Sequence, residues 1–274
     1  MNKFILLFLV FCCSTNEVFC QSDTSRAITY YKAGIENHAK KDYQTAKSKF
    51  DTAILINPTY SMAYYYRGLD NLYLKDFKES IDDDTKVIKL RPDFSSAYDN
   101  RGYSKFLSGD VPGAIQDYDK AILLNPKVVK AYLNRGGAKI RIGLVQDAID
   151  DFNRALILSP KNADIYFNLG ISKNALKDYK GAIKDFDTVI NLRPNFEKAF
   201  LYRSTARDLS GDQIGAMDDL NNCIILNPND DLAYLNRGAI RFDENDKSGA
   251  CTDWTKAADL GNKLAADLSK EKCK

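Results

Sequence analysis

One histidine in 274 residues, His38, and the lack of any excess of one charge remove most chemistry from consideration at the outset. Around His38 no residues of nucleophile or metal-ligand type are spaced to work with it, so acid–base, nucleophilic and metal chemistry have no starting set. The 39 basic and 37 acidic residues leave a net charge of +2. No global field therefore draws the chain to nucleic acid or to an acidic membrane surface. The 15 glycines are scattered rather than gathered into a phosphate-cradling loop. Asp-rich runs at 81–84 and 149–151 recur with the helical period, which marks a solvated face rather than a metal or acid pair. The sequence thus predicts no enzyme, no cofactor and no metal site. Apolar residues at 45% and charged residues at 28% are ordinary for a folded chain, which excludes disorder.

The start differs in kind from the rest. Asn2 and Lys3 precede the apolar run Phe4–Cys13, and a polar patch follows, ending Val18-Phe19-Cys20-Gln21. That run is about half the roughly 20 residues a spanning helix needs. A short basic start, a short apolar stretch and a small residue before the cut describe a secretory signal over 1–20, with cleavage after Cys20. An uncleaved N-terminal anchor is one alternative. A lipid-anchored form cut at Cys12, Cys13 or Cys20 is another, although Phe11 and Phe19 are bulky where a small residue belongs. The expectation is an exported protein, periplasmic or secreted to the cell surface, with no transmembrane segment in the mature chain. Residues 21–26 form a short lead. Cys223, Cys251 and Cys273 remain, in a compartment where disulfides persist.

What the sequence does hold is a period. Pro58, Pro92, Pro126, Pro160, Pro194 and Pro228 stand 34 residues apart, and only Pro112 falls outside the series. Each proline ends a helix, because it lacks the N–H that continues the ladder and clashes with the preceding turn. Seven blocks follow: 27–60, 61–94, 95–128, 129–162, 163–196, 197–230 and 231–264. Numbered 1–34 within a block, position 4 is aromatic throughout (Tyr30, Tyr64, Tyr98, Tyr132, Tyr166, Phe200, Tyr234). Position 8 is glycine or serine (Gly34, Gly68, Gly102, Gly136, Gly170, Ser204, Gly238), and position 20 is alanine or serine. Position 27 is Ala53, Val87, Ala121, Ala155, Val189, Cys223 and Ala257. Positions 4, 8 and 11 share one face of a first helix, and positions 20, 24 and 27 one face of a second. Small residues at 8 and 20 would let the two backbones approach closely, which explains the tolerance of a mid-helix glycine.

This large–small–small–small set at a 34-residue period resembles the tetratricopeptide repeat (TPR), a pair of antiparallel helices. The resemblance implies an all-α fold: a right-handed TPR superhelix, or α-solenoid, of seven helix–turn–helix repeats over 27–264, with a C-terminal capping helix over 265–274. The last block has Asn262 in place of proline and carries Cys251-Thr-Asp-Trp-Thr-Lys-Ala-Ala-Asp-Leu-Gly261 ahead of Cys273. It is similar to the endings of exported bacterial TPR proteins. In an antiparallel hairpin Cys251 and Cys273 come level, which predicts a disulfide bond clamping the cap; the alternative is two unpaired thiols. Cys223 reads as a small core residue.

Three further features carry expectations. Position 24 is Phe50, Tyr118, Phe152, Phe186, Leu220 and Trp254, but Asp84 in the second block. That carboxylate is either wet or pinned by a base. Position 7 is arginine at 67, 101, 135, 203 and 237, position 11 is basic from Lys105 onward, and position 23 is aspartate from Asp83 onward. Acid and base in matching series predict an ion-pair ladder between helices; a basic strip for an acidic ligand is the competing reading. His38 reads as a plain surface or groove histidine.

The resemblance places a ligand along the concave face lined by the first helices. Position 6 there reads Lys32, Tyr66, Asn100, Asn134, Asn168, Tyr202 and Asn236. An amide donates to and accepts from a peptide backbone at once. With Tyr65, Tyr103 and Arg141 beside them, these residues suit protein recognition. The expectation is a non-catalytic scaffold or adaptor for protein–protein interaction, binding a peptide or protein segment through Tyr65, Tyr66, Asn100, Tyr103, Asn134, Arg141, Asn168, Tyr202 and Asn236. Alternatives of other classes are a self-associating structural subunit of an envelope complex and an accessory glycan- or polymer-binding module.

Overall fold

The computed structural model describes residues 23–273, which form α-helices joined by short turns, with no strand among them. The expected signal at 1–20 lies outside the described residues. The chain divides into two compact units between Ala138 and Lys139. The first unit holds α1 (residues 23–39), α2 (Tyr43–Ile56), α3 (Ser61–Tyr73), α4 (Phe77–Leu90), α5 (Ser95–Ser108) and α6 (Val111–Leu124). The helix α7 (Val129–Arg141) runs across the division. The second unit holds α8 (Val145–Leu158), α9 (Ala163–Ala175), α10 (Tyr179–Leu192), α11 (Glu197–Leu209) and α12 (Gln213–Leu226). It ends with α13 (Asp231–Asp243), α14 (Lys247–Asp259) and α15 (Lys263–Lys272). From α2 to α6 and from α8 to α15 each helix packs on the next in sequence, and α1 lays Tyr30, Tyr31 and Ile35 on Ala46 and Phe50 of α2. No helix of the described residues is long and apolar enough to cross a membrane.

The turns explain why helices stop where they do. Position 15 takes a left-handed backbone in every block: Lys41, Lys75, Gly109, Gly143, Lys177, Gly211 and Asn245. One such residue closes a helix and satisfies its last carbonyls. The following position is mostly aspartate, and Asp42, Asp110, Asp178, Asp212 and Asp246 each accept a hydrogen bond from a backbone N–H in the first turn of the next helix. At the other end, the residue before each proline is extended, as at Asn57 (φ −130°) and Asn227 (φ −138°).

Position 20 and position 27 are buried in both units, as at Ala46, Ala53, Ala114, Ala121, Ala216 and Cys223. The tight approach at position 8 has a partner the sequence reading did not name. A Cβ on Gly102 would stand 2.9 Å from the Tyr118 ring, on Gly170 2.6 Å from Phe186 and on Gly238 2.6 Å from the Trp254 indole nitrogen. The position-24 ring lies across the glycine, so glycine is required more by that ring than by the facing backbone. Tyrosine at position 4 instead donates from its hydroxyl to the carbonyl of the preceding proline, as Tyr98 does to Pro92 (3.2 Å) and Tyr166 to Pro160 (3.1 Å).

Asp84 occupies the position-24 site of the second hairpin with no solvent exposure. Neither carboxylate oxygen has a hydrogen-bond partner among the described residues. Arg101 acts on it through space, but its guanidinium is committed to Asp117 and Thr85. Burial first, then the charge of Asp83, holds the Asp84 carboxyl well above the ordinary carboxylate range.

Candidate binding surface

The repeating charges are consumed within the fold. Arg67 forks onto Asp83 (Nε–Oδ2 3.0 Å, Nη2–Oδ1 2.6 Å), and its Nη1 reaches Asp51 of the preceding hairpin at 2.6 Å. Arg101 does the same with Asp117 and Thr85, Arg203 with Asp219 and Asp187, and Arg237 with Asp253 and Asn221. Each guanidinium also lies over the position-4 ring of its own helix, 5.4 Å from the centroid of Tyr64 in the case of Arg67. A second base joins most of these carboxylates: Lys105 at Asp117 (2.8 Å), Arg207 at Asp219 (2.9 Å) and Arg241 at Asp253 (2.8 Å). The expected ladder is present, and the basic strip is not left over for a ligand. The sequence reading missed the reach to position 25 of the previous hairpin, which ties neighbouring hairpins together.

His38 is not a plain surface histidine. Its Nδ1 stands 2.6 Å from Oδ1 of Asp70, a carboxylate with no exposure. Tyr43, Tyr66 and Tyr73 surround the imidazole at 5.8, 5.5 and 6.0 Å between ring centroids. Burial pushes Asp70 up to about 6, with His38 opposing that shift. The pair spans 32 residues and fastens the first hairpin to the second.

The predicted contact residues fall into the two units. In the first, Tyr66 is half-buried against Tyr31 and Phe50, and Tyr65 packs on Phe94 at 5.0 Å. Asn100 is buried beside the Tyr65 hydroxyl, and its Nδ2 has no hydrogen-bond partner among the described residues. Asn134 donates to Asp99 of the preceding hairpin (3.0 Å). Lys130 also reaches Asp99 (3.2 Å) and lies over the Tyr103 ring. In the second unit, Arg141 is exposed, and Asn168 donates to the Asp164 carbonyl of its own helix (2.8 Å). Tyr202 is exposed on one side and set edge-on to Phe167 at 5.4 Å on the other. Asn236 lines an open notch between α11 and α13. The asparagines are therefore not a uniform row: two spend a donor inside the fold and one is buried, because position 6 meets a different neighbour in each hairpin.

At the C-terminus, α15 packs on α14, and Ala265 and Leu268 pack with Trp254. The Cα atoms of Cys251 and Cys273 are 5.7 Å apart, a disulfide spacing. Cys223 is a buried free thiol, pushed up to about 12 by burial and then by Asp230, as an inert core residue should be.

Helical hairpins of one length, linked through repeated guanidinium–carboxylate forks and presenting aromatic and amide groups from their first helices, define an all-α repeat scaffold of the protein-interaction type. The family model described as tetratricopeptide repeat matches residues 100–163 and again 138–195. Residues 100–195 therefore carry tetratricopeptide repeats, and the described helices have the tetratricopeptide-repeat fold. Among solved structures, a MamA protein is 25% identical over 61% of this chain and 91% of its own, with a TM-score of 0.57. A TPR protein from Parabacteroides merdae is 18% identical over 91% of this chain and 100% of its own, with a TM-score of 0.69. YrrB, described as a TPR protein with an unusual peptide-binding site, is 22% identical over 69% of this chain and 97% of its own, with a TM-score of 0.58. No curated protein matches the chain by sequence.

Proposed function

We propose that the chain is an exported, non-catalytic adaptor that binds an extended peptide or protein segment along its first helices. The observation that carries this reading is a division of labour among side chains. The recurring arginines and aspartates satisfy one another, so what the first helices offer outward is aromatic and amide chemistry: Tyr65, Tyr66 and Tyr103 in one unit, Tyr202 and Asn236 in the other. Rings supply contact area at low entropic cost and amides adapt to a backbone, which is the pattern of peptide recognition. YrrB, of the same fold, has a peptide-binding site. Export to the periplasm or cell surface, by signal cleavage or with a lipid anchor, rests on residues 1–20 alone. Cross-linking in intact cells followed by mass spectrometry tests both parts. The expected result is a partner cross-linked to first-helix residues of a chain beginning near Gln21. Loss of that product in Tyr103→Ala/Tyr202→Ala supports the reading; an unchanged product in that variant defeats it.

One set of exposures favours a second reading, self-association through the second helices. Position 29 carries Leu55 (81% exposed) and Leu123 (74%) in the first unit, and Ile157 (71%) and Ile225 (75%) in the second. Sedimentation that finds an oligomer dissolved by Leu123→Asp/Ile225→Asp establishes this reading, and a monomer at all concentrations ends it.

A further inference from the structure

The notch between α11 and α13 has a cavity of about 130 Å³, an order of magnitude above the roughly 10–15 Å³ that one water needs. It opens because position 9 is small in both helices, Thr205 and Ala239. Its floor is apolar, made by fully buried Leu220 and by Ile240. The Ser204 and Thr205 hydroxyls that line it both donate to the Leu201 carbonyl, which leaves Asn236 and the Asp208 carboxylate to face a ligand, with Asp243 close enough to act on Asp208 through space. The two nearest arginines do not neutralise this rim: Arg207 is spent on Asp219 (2.9 Å) and Arg241 on Asp253 (2.8 Å). An apolar floor under an uncompensated pair of carboxylates complements one kind of side chain, a long alkyl stem ending in a cation.

We propose that this notch receives an arginine or lysine side chain of the bound peptide, its stem on Leu220 and Ile240 and its charged head at Asp208 and Asn236, with Asp243 adding to the field. The proposal rests on the peptide-binding reading and names the chemistry of one residue of the partner. The raised titration of Asp208, caused by burial and then by Asp243, agrees with a site in which negative charge lacks a counterion. A guanidinium forks between the carboxylate and the amide, so arginine is favoured over lysine.

The test uses the full chain, isotope-labelled for NMR, titrated with the capped pentapeptide Ala-Ala-Arg-Ala-Ala and with its citrulline counterpart, which keeps shape and loses charge. The arginine peptide is expected to shift the amides of Asp208, Asn236 and Ala239 and to bind up to about fivefold more tightly than the citrulline peptide, the span of a partly exposed ion pair. Asp208→Asn, an isosteric change at an exposed site, removes that difference, and Asp243→Asn reduces it. Equal binding of the two peptides overturns the inference and leaves the peptide-binding reading standing. Binding of neither peptide overturns the inference and counts against that reading too. Shifts confined to residues outside the notch also overturn it.

Discussion

Replacing Asp84 by phenylalanine should stabilise the protein, against the usual expectation for a change at a fully buried position. Asp84 stands where the other hairpins place Phe50, Tyr118, Phe152, Phe186, Leu220 or Trp254, and both its oxygens lack partners among the described residues. A buried, unsatisfied polar group costs about 1–3 kcal/mol, and burying a phenylalanine side chain contributes about 1.5–3 kcal/mol. Gly68 faces the site with its would-be Cβ 3.7 Å from Asp84 Cγ, the same glycine-under-ring arrangement that Gly170 and Phe186 make. Even after about 1–3 kcal/mol for imperfect repacking, a net gain of about 2 kcal/mol remains. Asp84→Asn separates charge from shape. Because the folded-state pKa lies above the unfolded value, the folded chain holds a proton that the unfolded chain releases. Stability therefore falls as pH rises above the ordinary aspartate value of about 4, by up to about 1.4 kcal/mol per pH unit until Asp84 itself ionises. Both variants should lose that part of the slope. Urea unfolding followed by circular dichroism at pH 4.5 and 7.5 measures it, and hydrogen exchange in α3–α5 localises it. A lower midpoint for Asp84→Phe, together with an unaltered pH slope in Asp84→Asn, would refute the reasoning and mean that Asp84 is satisfied in solution.

Other substitutions probe the same packing. Gly170→Ala should cost about 1–3 kcal/mol, since its Cβ must displace the buried Phe186 ring, whereas Gly68→Ala, 3.3 Å from Asp83 Cβ, should stay within about 1 kcal/mol of wild type; thermal melts compare the two. Arg203→Ala leaves Asp219, which is 1% exposed, with Arg207 as its remaining base and cuts the tie to Asp187, so a loss of about 3 kcal/mol is expected in urea unfolding. Arg203→Lys recovers only part of it, because an ammonium cannot fork. Cys251 and Cys273 should resist alkylation until reduced, and reduction should loosen α15, with about 3 kcal/mol lost at the cap for a closed loop of this length. Alkylation of both before reduction would end the clamp.

Much of this architecture could be read from the chain itself, for a definite reason. The prolines, the left-handed residue at position 15 and the aspartate after it act within a few residues of themselves, so helix ends follow from local backbone chemistry. The fork from Arg203 to Asp219 spans 16 residues inside one hairpin, and the repeat shows it by recurring at the same separation at Arg67, Arg101 and Arg237. The family resemblance is a statement about the same local periods.

What stayed hidden depends on how one hairpin sits on the next. The third arm of each arginine reaches 16 residues back to the preceding hairpin, but its acceptor changes from Asp51 and Asp187 to Thr85 and Asn221, so no single residue type along the chain announces it. The His38–Asp70 pair and the Asn134–Asp99 bond cross between hairpins at 32 and 35 residues, with no repeat to announce them. The notch under Asn236 exists only because Thr205 and Ala239, 34 positions apart, come to face each other across one gap. Spacing along a helix decides which residues share a face, but whether a polar group on that face meets a partner, a neighbour's core or open space is settled by the contacts between helices.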